Sequence, residues 1–130
     1  MFKKIHTDKR GEIYATDDIL KDGREINIMT LKAGYARGGC IHRKNAEYFA
    51  VLEGEVHLVI WMPGSENVVG SYRPTPGHII KIMPNHPHYF EAISDAVVSE
   101  WGVGREETGR DLAMRKIVEK INEEHPANGT

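Results

Sequence analysis

The 130-residue chain has a single cysteine, Cys40. One thiol forms no internal disulfide, and it excludes zinc sites built from paired C-x-x-C knuckles as well as the dithiol redox motif. Long apolar runs are also missing. None exceeds the stretch from Leu58 to Met62, far below the roughly 20 residues needed to span a bilayer, and the first ten residues hold no apolar stretch of signal-peptide length. Nor does one charge dominate. Lys plus Arg number 17 and Asp plus Glu 19, a formal net charge of −2 with both signs scattered, so no polybasic stripe points to nucleic acid or an anionic membrane surface. These absences make a cytoplasmic single domain over residues 1–130 the simplest expectation, long enough to bury roughly two-thirds of its unfolded surface without staples. Any metal must lean on histidine and carboxylate. Histidine is plentiful: His6, His42, His57, His78, His86, His88 and His125, three of them between positions 78 and 88.

Most of the chain reads as short strands between turns. Apolar, β-branched and aromatic runs span 25–31, 47–52, 55–62, 68–72, 78–82, 88–93 and 96–103, punctuated by Pro63-Gly64, Pro74-Thr75-Pro76-Gly77 and Pro84-Asn85-His86-Pro87. The spacing favours an all-β sandwich or barrel, about 11–104, over an α/β fold. Glu53-Gly54 looks like the turn of a hairpin joining the second and third runs, and 88–103 reads as a last hairpin. The period then changes: Leu112, Met114, Ile117, Val118 and Ile121 share a helical face, with Thr108 and Asp111 resembling a capping box. One amphipathic helix, about 109–124, is expected to cover a mouth or edge of the barrel. The tail 125–130 is expected to fray.

The stretch from Gly34 to Gly54 resembles the first motif of the cupin superfamily, G-(x)5-H-x-H-(x)3,4-E-(x)6-G. Gly34, His42, Glu47 and Gly54 meet its spacings, with Cys40 where the family usually has its first histidine. Pro76-Gly77-His78 followed by Pro84-Asn85-His86-Pro87-His88 resembles the second motif. There His88 takes the place of the metal-binding histidine, His86 sits near the usual glycine, and Ala92 replaces an asparagine. The resemblance covers about residues 26–103. It implies a cupin-type double-stranded β-helix, a jelly-roll barrel, here with one C-terminal helix.

Alternation along strands supports the same site. Cys40 and His42 share a face, as do Glu47, Phe49 and Val51, then Val56, Leu58 and Ile60, and finally His88, Phe90 and Ala92. His42, Glu47 and His88 can therefore converge inside an apolar barrel, with Cys40 as a possible fourth ligand or a buried small hydrophobe. Such a set suits a divalent ion: zinc, iron, nickel or manganese. Without the cysteine, two histidines and one carboxylate form an open site. His78 is read as a turn or rim residue, His86 as one able to reach the pocket mouth, and His6, His57 and His125 as surface. The outward set His57, Val59 and Trp61 supplies an apolar patch for a homodimer.

A narrower resemblance joins Asp8-Lys9-Arg10-Gly11, Arg37-Gly38-Gly39-Cys40-Ile41-His42 and Glu100-Trp101 to small cupins that isomerise or epimerise nucleotide-activated sugars. It implies a small-molecule substrate, a sugar derivative, and removal of a proton beside a carbonyl. His42 or His88 would act as ligand or base and Tyr48 or Tyr89 as acid. Arg37 would contact phosphate or carboxylate, and His86 and Glu100 would lie near the substrate. The alternatives are a metal-dependent oxygenase and a barrel that binds a small ligand without catalysis.

Overall fold

A computed structural model describes residues 2–16 and 24–124, the side chains of Arg24 and Arg105 aside. Eleven strands appear: β1 (Phe2–Asp8), β2 (Gly11–Thr16), β3 (Arg24–Leu31), β4 (Ala36–His42), β5 (Glu47–Glu53), β6 (Val56–Trp61), β7 (Val68–Tyr72), β8 (Ile79–Ile82), β9 (His88–Ala92), β10 (Ala96–Gly104) and β11 (Thr108–Arg110). A 3-10 turn (Arg105–Glu107) precedes β11, and helix α1 (Leu112–Glu124) follows it. The expected tail with His125 lies outside the described residues. Among those residues no helix is long and apolar enough to cross a membrane.

The strands form two antiparallel sheets, ordered β1-β2-β3-β10-β5-β8 and β11-β4-β9-β6-β7. Their inner faces meet in a core of Met29, Leu31, Phe49, Val51, Val56, Leu58, Ile60, Ile82, Phe90 and Val98. Phe49 and Phe90, one from each sheet, lie 5.1 Å apart between ring centroids. Polar residues at even spacing on the same strands face out, which is the two-layer solution open to strands with one apolar face.

Two expected hairpins are not hairpins. β5 and β6 follow one another but belong to different sheets, and so do β9 and β10. Gly54 turns the chain from one sheet to the other with φ +82°, and a Cβ there would run into the carbonyl oxygen of Asp95. A hairpin turn and a sheet-to-sheet corner need the same local residues, so turn chemistry alone does not separate them. β1, β2 and β11 are strands beyond the runs read from sequence, although the expected barrel already began at residue 11, where β2 starts.

Helix α1 starts later than expected. Asp111 Oδ1 accepts from the amide of Met114 at 2.9 Å, making Asp111 the N-cap, while Thr108 belongs to β11. Leu112 is 75% exposed and lies off the buried face, whereas Met114 and Val118 are buried. The helix packs on the outer face of the five-stranded sheet, where Met114 and Ile117 cover Val59 and Trp61. These two side chains are 6% and 4% exposed, and His57 bonds to Ser71 at 2.7 Å. The patch read as a homodimer surface is therefore occupied by the chain's own helix.

Candidate metal centre

His42 ends β4, Glu47 begins β5 and His88 begins β9. Each sits at the same end of the barrel, and parity turns each inward, so one nitrogen or oxygen from each lies within 4.8 Å of the others. Glu47 is 3% exposed, His88 3% and His42 7%. His42 Nε2 lies 2.9 Å from Glu47 Oε2, and His88 Nε2 lies 2.8 Å from Glu47 Oε1. A loop tie steadies the arrangement: the backbone and side-chain amides of Asn45 donate to the Glu107 carboxylate at 2.8 and 2.7 Å, just ahead of Glu47.

The outer partners settle the tautomers. The Thr108 hydroxyl gives its proton to the Gly104 carbonyl at 2.9 Å, so it accepts from His42 Nδ1 at 2.9 Å. His88 Nδ1 donates to the His86 carbonyl at 3.0 Å. Both Nε2 atoms consequently carry lone pairs, and they face a carboxylate that also only accepts. His42 Nε2 and Glu47 Oε1 are buried with no hydrogen-bond partner among the described residues. Three converging acceptors of this kind require a proton or a cation among them. Two imidazoles and a carboxylate, each imidazole held from behind, fit a divalent ion with open coordination positions.

The electrostatics agree. Burial alone would raise the Glu47 carboxyl, but a hydrogen bond from Glu100 and the two imidazoles outweigh it and hold Glu47 well below the usual range. Burial would depress His88, yet Glu47 beside it and the His86 carbonyl raise it. Glu100 moves the other way: burial and the adjoining Glu47 push it well above the ordinary value.

The other site residues read from sequence divide into two groups. Arg37, Cys40 and Glu100 line the same cavity, of about 480 Å³, together with Met29, Phe90 and Val103. Cys40 pairs with His88 across the β4/β9 ladder, but its sulfur is not among the three converging atoms. Burial, then Glu47, raise its thiol. Tyr48, Tyr89 and His86 do not reach the cavity. Tyr48 follows inward-facing Glu47 and so points outward, where its ring stacks on Trp101 with centroids 5.8 Å apart. Tyr89 follows inward-facing His88 and packs under α1. His86 turns its ring to the Pro84 carbonyl at 3.0 Å and contributes its own carbonyl to His88.

Two contributors were not singled out from sequence. Thr108, read as a helix cap, orients His42. Arg10 lines the cavity, and its presence in the Asp8-Lys9-Arg10-Gly11 segment was the available signal. Thr108→Val should weaken metal affinity by about 10–100-fold while leaving the fold intact, because the exposed hydroxyl holds the imidazole and its other bond is a single one to the Gly104 carbonyl. Competition titration against a chelator measures this, and a loss below about twofold would remove Thr108 from the site.

No family model matches the chain, and no curated protein does. Solved structures do. The backbone is similar to that of the capsular polysaccharide assembling protein CapF from Staphylococcus aureus, with a TM-score of 0.71 and 17% identity over 85% of this chain and 31% of that one. It is also similar to Bacillus subtilis oxalate decarboxylase, a protein with Mn(II) centres, at TM-score 0.68 and 15% identity over 83% and 29% of the two chains. Vicilin from Solanum melongena, which holds different anionic ligands in structurally similar pockets, matches at TM-score 0.62 and 19% identity over 82% and 31%. The chain spans about a third of the length of these proteins. The likeness, with the two antiparallel layers and the single C-terminal helix, shows that this chain has the cupin fold.

Proposed function

We propose that the protein is a metal-dependent enzyme that isomerises or epimerises a sugar or nucleotide-sugar derivative. The observation that carries the metal part is the trio of buried acceptors His42 Nε2, His88 Nε2 and Glu47, with both tautomers set from behind. A bound divalent ion would polarise a substrate oxygen and stabilise negative charge developing there. Glu100 lines the cavity beside Glu47 and is the carboxyl placed to move a proton at the carbon next to a substrate carbonyl. With both Nε2 atoms turned to Glu47, neither histidine serves as the base. Met29, Phe90 and Val103 supply the apolar wall that excludes water. The sugar assignment rests on the resemblance of the segments around Arg10, Arg37 and Glu100.

The test incubates pure, metal-loaded protein with dTDP-4-keto-6-deoxyglucose in D₂O. Deuterium at the carbon beside the carbonyl, lost in Glu100→Gln, supports the reading. Absence of both exchange and product sinks it for this substrate. The two-histidine, one-carboxylate composition also favours a second reading, an iron-dependent oxygenase. That version requires stoichiometric iron and consumption of oxygen, and zinc alone on elemental analysis counts against it.

A further inference from the structure

The six-stranded sheet is apolar on both sides along its middle. Polar side chains face out at its flanks, where Lys4 bonds to Glu12 at 2.9 Å and Lys81 stands exposed on β8. Between the flanks the alternation fails. On β3 it is Glu25 and Asn27 that turn in to line the cavity, so parity sends Ile26 and Ile28 out. On β5 Phe49 and Val51 are core, which leaves Tyr48, Ala50 and Leu52 facing out. On β10 Val98 is core, and Val97 and Trp101 face out. The ladders set these side chains in register: Tyr14, Ile28, Ser99, Ala50 and Ile79 make one row across five strands, and Ile26, Trp101 and Tyr48 the next.

The hydroxyls on this face are closed within the sheet itself. Thr16 accepts the Ile26 amide at 3.1 Å, Thr30 accepts the Glu12 amide at 2.9 Å, and Ser99 donates to the Asn27 carbonyl at 3.1 Å. What remains outward is aliphatic and aromatic, with Leu52 51% and Ile79 60% exposed. The opposite sheet shows what such a face requires, for there α1 covers the outward Val59 and Trp61. Among the described residues α1 is the single α-helix, and it lies on that other sheet.

Area and charge both select the occupant. Six strands spaced about 4.8 Å apart and five residues rising about 3.4 Å each give a face of roughly 500 Å², so a pair of such faces covers about 1,000 Å², the size at which specific interfaces begin. Monomers rarely expose a contiguous apolar patch larger than a few hundred Å². Glu53 is exposed beside Val97 at one end of the strands, and Lys81 pairs with Tyr48 at the other. A two-fold axis lying in the face and crossing the strands along the Ile28 row exchanges these ends. It lays Trp101 over the partner's Val97, Tyr48 over the partner's Leu52 and Lys81 beside the partner's Glu53. An axis along the strands would instead set Glu53 against the partner's Glu12.

We propose that the outer face of the six-stranded sheet docks a second copy of this chain, sheet on sheet, about a two-fold axis crossing the strands. The surface lies on the opposite side of the barrel from the β6 patch that α1 covers, and it stands independently of the metal reading.

Sedimentation equilibrium of the full chain should give twice its mass of 14.7 kDa. Ile28→Lys should weaken the dimer about a hundredfold or more, because the axis brings two copies of the new charge together in apolar surroundings. Metal content per chain, measured on the same samples, should not change. Glu53→Lys and Lys81→Glu should each weaken the dimer about tenfold, since the symmetry repeats each contact, and combining them should return it to near the wild-type value. Both side chains are exposed, so this exchange decides the matter if Ile28→Lys does not fold. A wild type that sediments as a monomer overturns the proposal. So does an Ile28→Lys variant that dimerises as tightly as wild type, or a pair of single charge variants that weaken nothing.

Discussion

Glu47→Ala abolishes metal uptake: after exposure to excess zinc or manganese and dialysis, elemental analysis should find about one ion per wild-type chain and less than a tenth of that in the variant. Glu47 is the only one of the three groups that carries negative charge, and it lies within 2.9 Å of both imidazoles. Removing it leaves two neutral nitrogens and too few ligands for a stable site. The same residues set a pH dependence. His88 is raised above its ordinary 6.5 in the folded protein, so its stabilising contribution is full below that value and is lost as pH rises through the raised one. Glu47 is lowered from 4.5, so its contribution is present above that value and is lost as pH falls. Metal-free protein should therefore lose melting temperature as pH rises above 6.5. The ion must displace the proton shared with His88, so the increment in melting temperature on metal loading should grow over the same range. Titration in buffers of different ionisation enthalpy counts the proton directly. A metal increment independent of pH would mean that no proton occupies the trio before the ion enters.

Gly38→Ala should lower stability by about 3 kcal/mol or more, the upper range for single substitutions with a backbone cause. A Cβ there would come 2.6 Å from Tyr89 Cα and 2.7 Å from the His88 carbonyl oxygen, and the residue sits at φ +122°. Both obstacles are main-chain atoms or a Cα of the adjoining strand, so no rotamer change relieves them. For a domain of this size the loss corresponds to a melting temperature about 10 °C lower. Gly77→Ala is the control, because φ is +93° there but nothing lies within 4 Å of the added methyl; it should lose only about 1 kcal/mol of backbone strain. If the two variants melt together, close packing in the β4 bulge is not the cause.

The site was legible where spacing and side-chain parity agree. His42, Glu47 and His88 could be placed together because each begins or ends a strand whose apolar partners, Phe49 and Val51 or Phe90 and Ala92, mark the inward face. Tyr48 and Tyr89 were chosen for their chemistry although each is the immediate neighbour of an inward residue, and alternation sends both outward. Arg37 is the reverse case: parity argues against it, and only the Gly38-Gly39 bulge restores it. Thr108 was hidden because a threonine three residues before an aspartate near a helix start is also a cap signal. The sheets were less legible than the strands. Which neighbour β5 or β9 pairs with depends on contacts made far along the chain, and Glu53-Gly54 carries no mark that tells a corner from a hairpin.

Helix α1 does more to β4 than lie on it. β11 reaches only as far as Cys40. Beyond that point the backbone of β4 is met by Asp111, whose amide donates to the Gly39 carbonyl at 2.9 Å, by Arg115, which donates to the Gly38 carbonyl at 3.0 Å, and by Asn122, which both accepts from and donates to Ala36 at 2.8 and 3.1 Å. The helix is in effect a surrogate strand, spelled in side chains. Its contacts close a loop of 86 residues between Ala36 and Asn122. During synthesis on the ribosome the Ala36 end of the β4 edge therefore waits, open to any extended chain nearby, until the segment containing Asn122 has emerged.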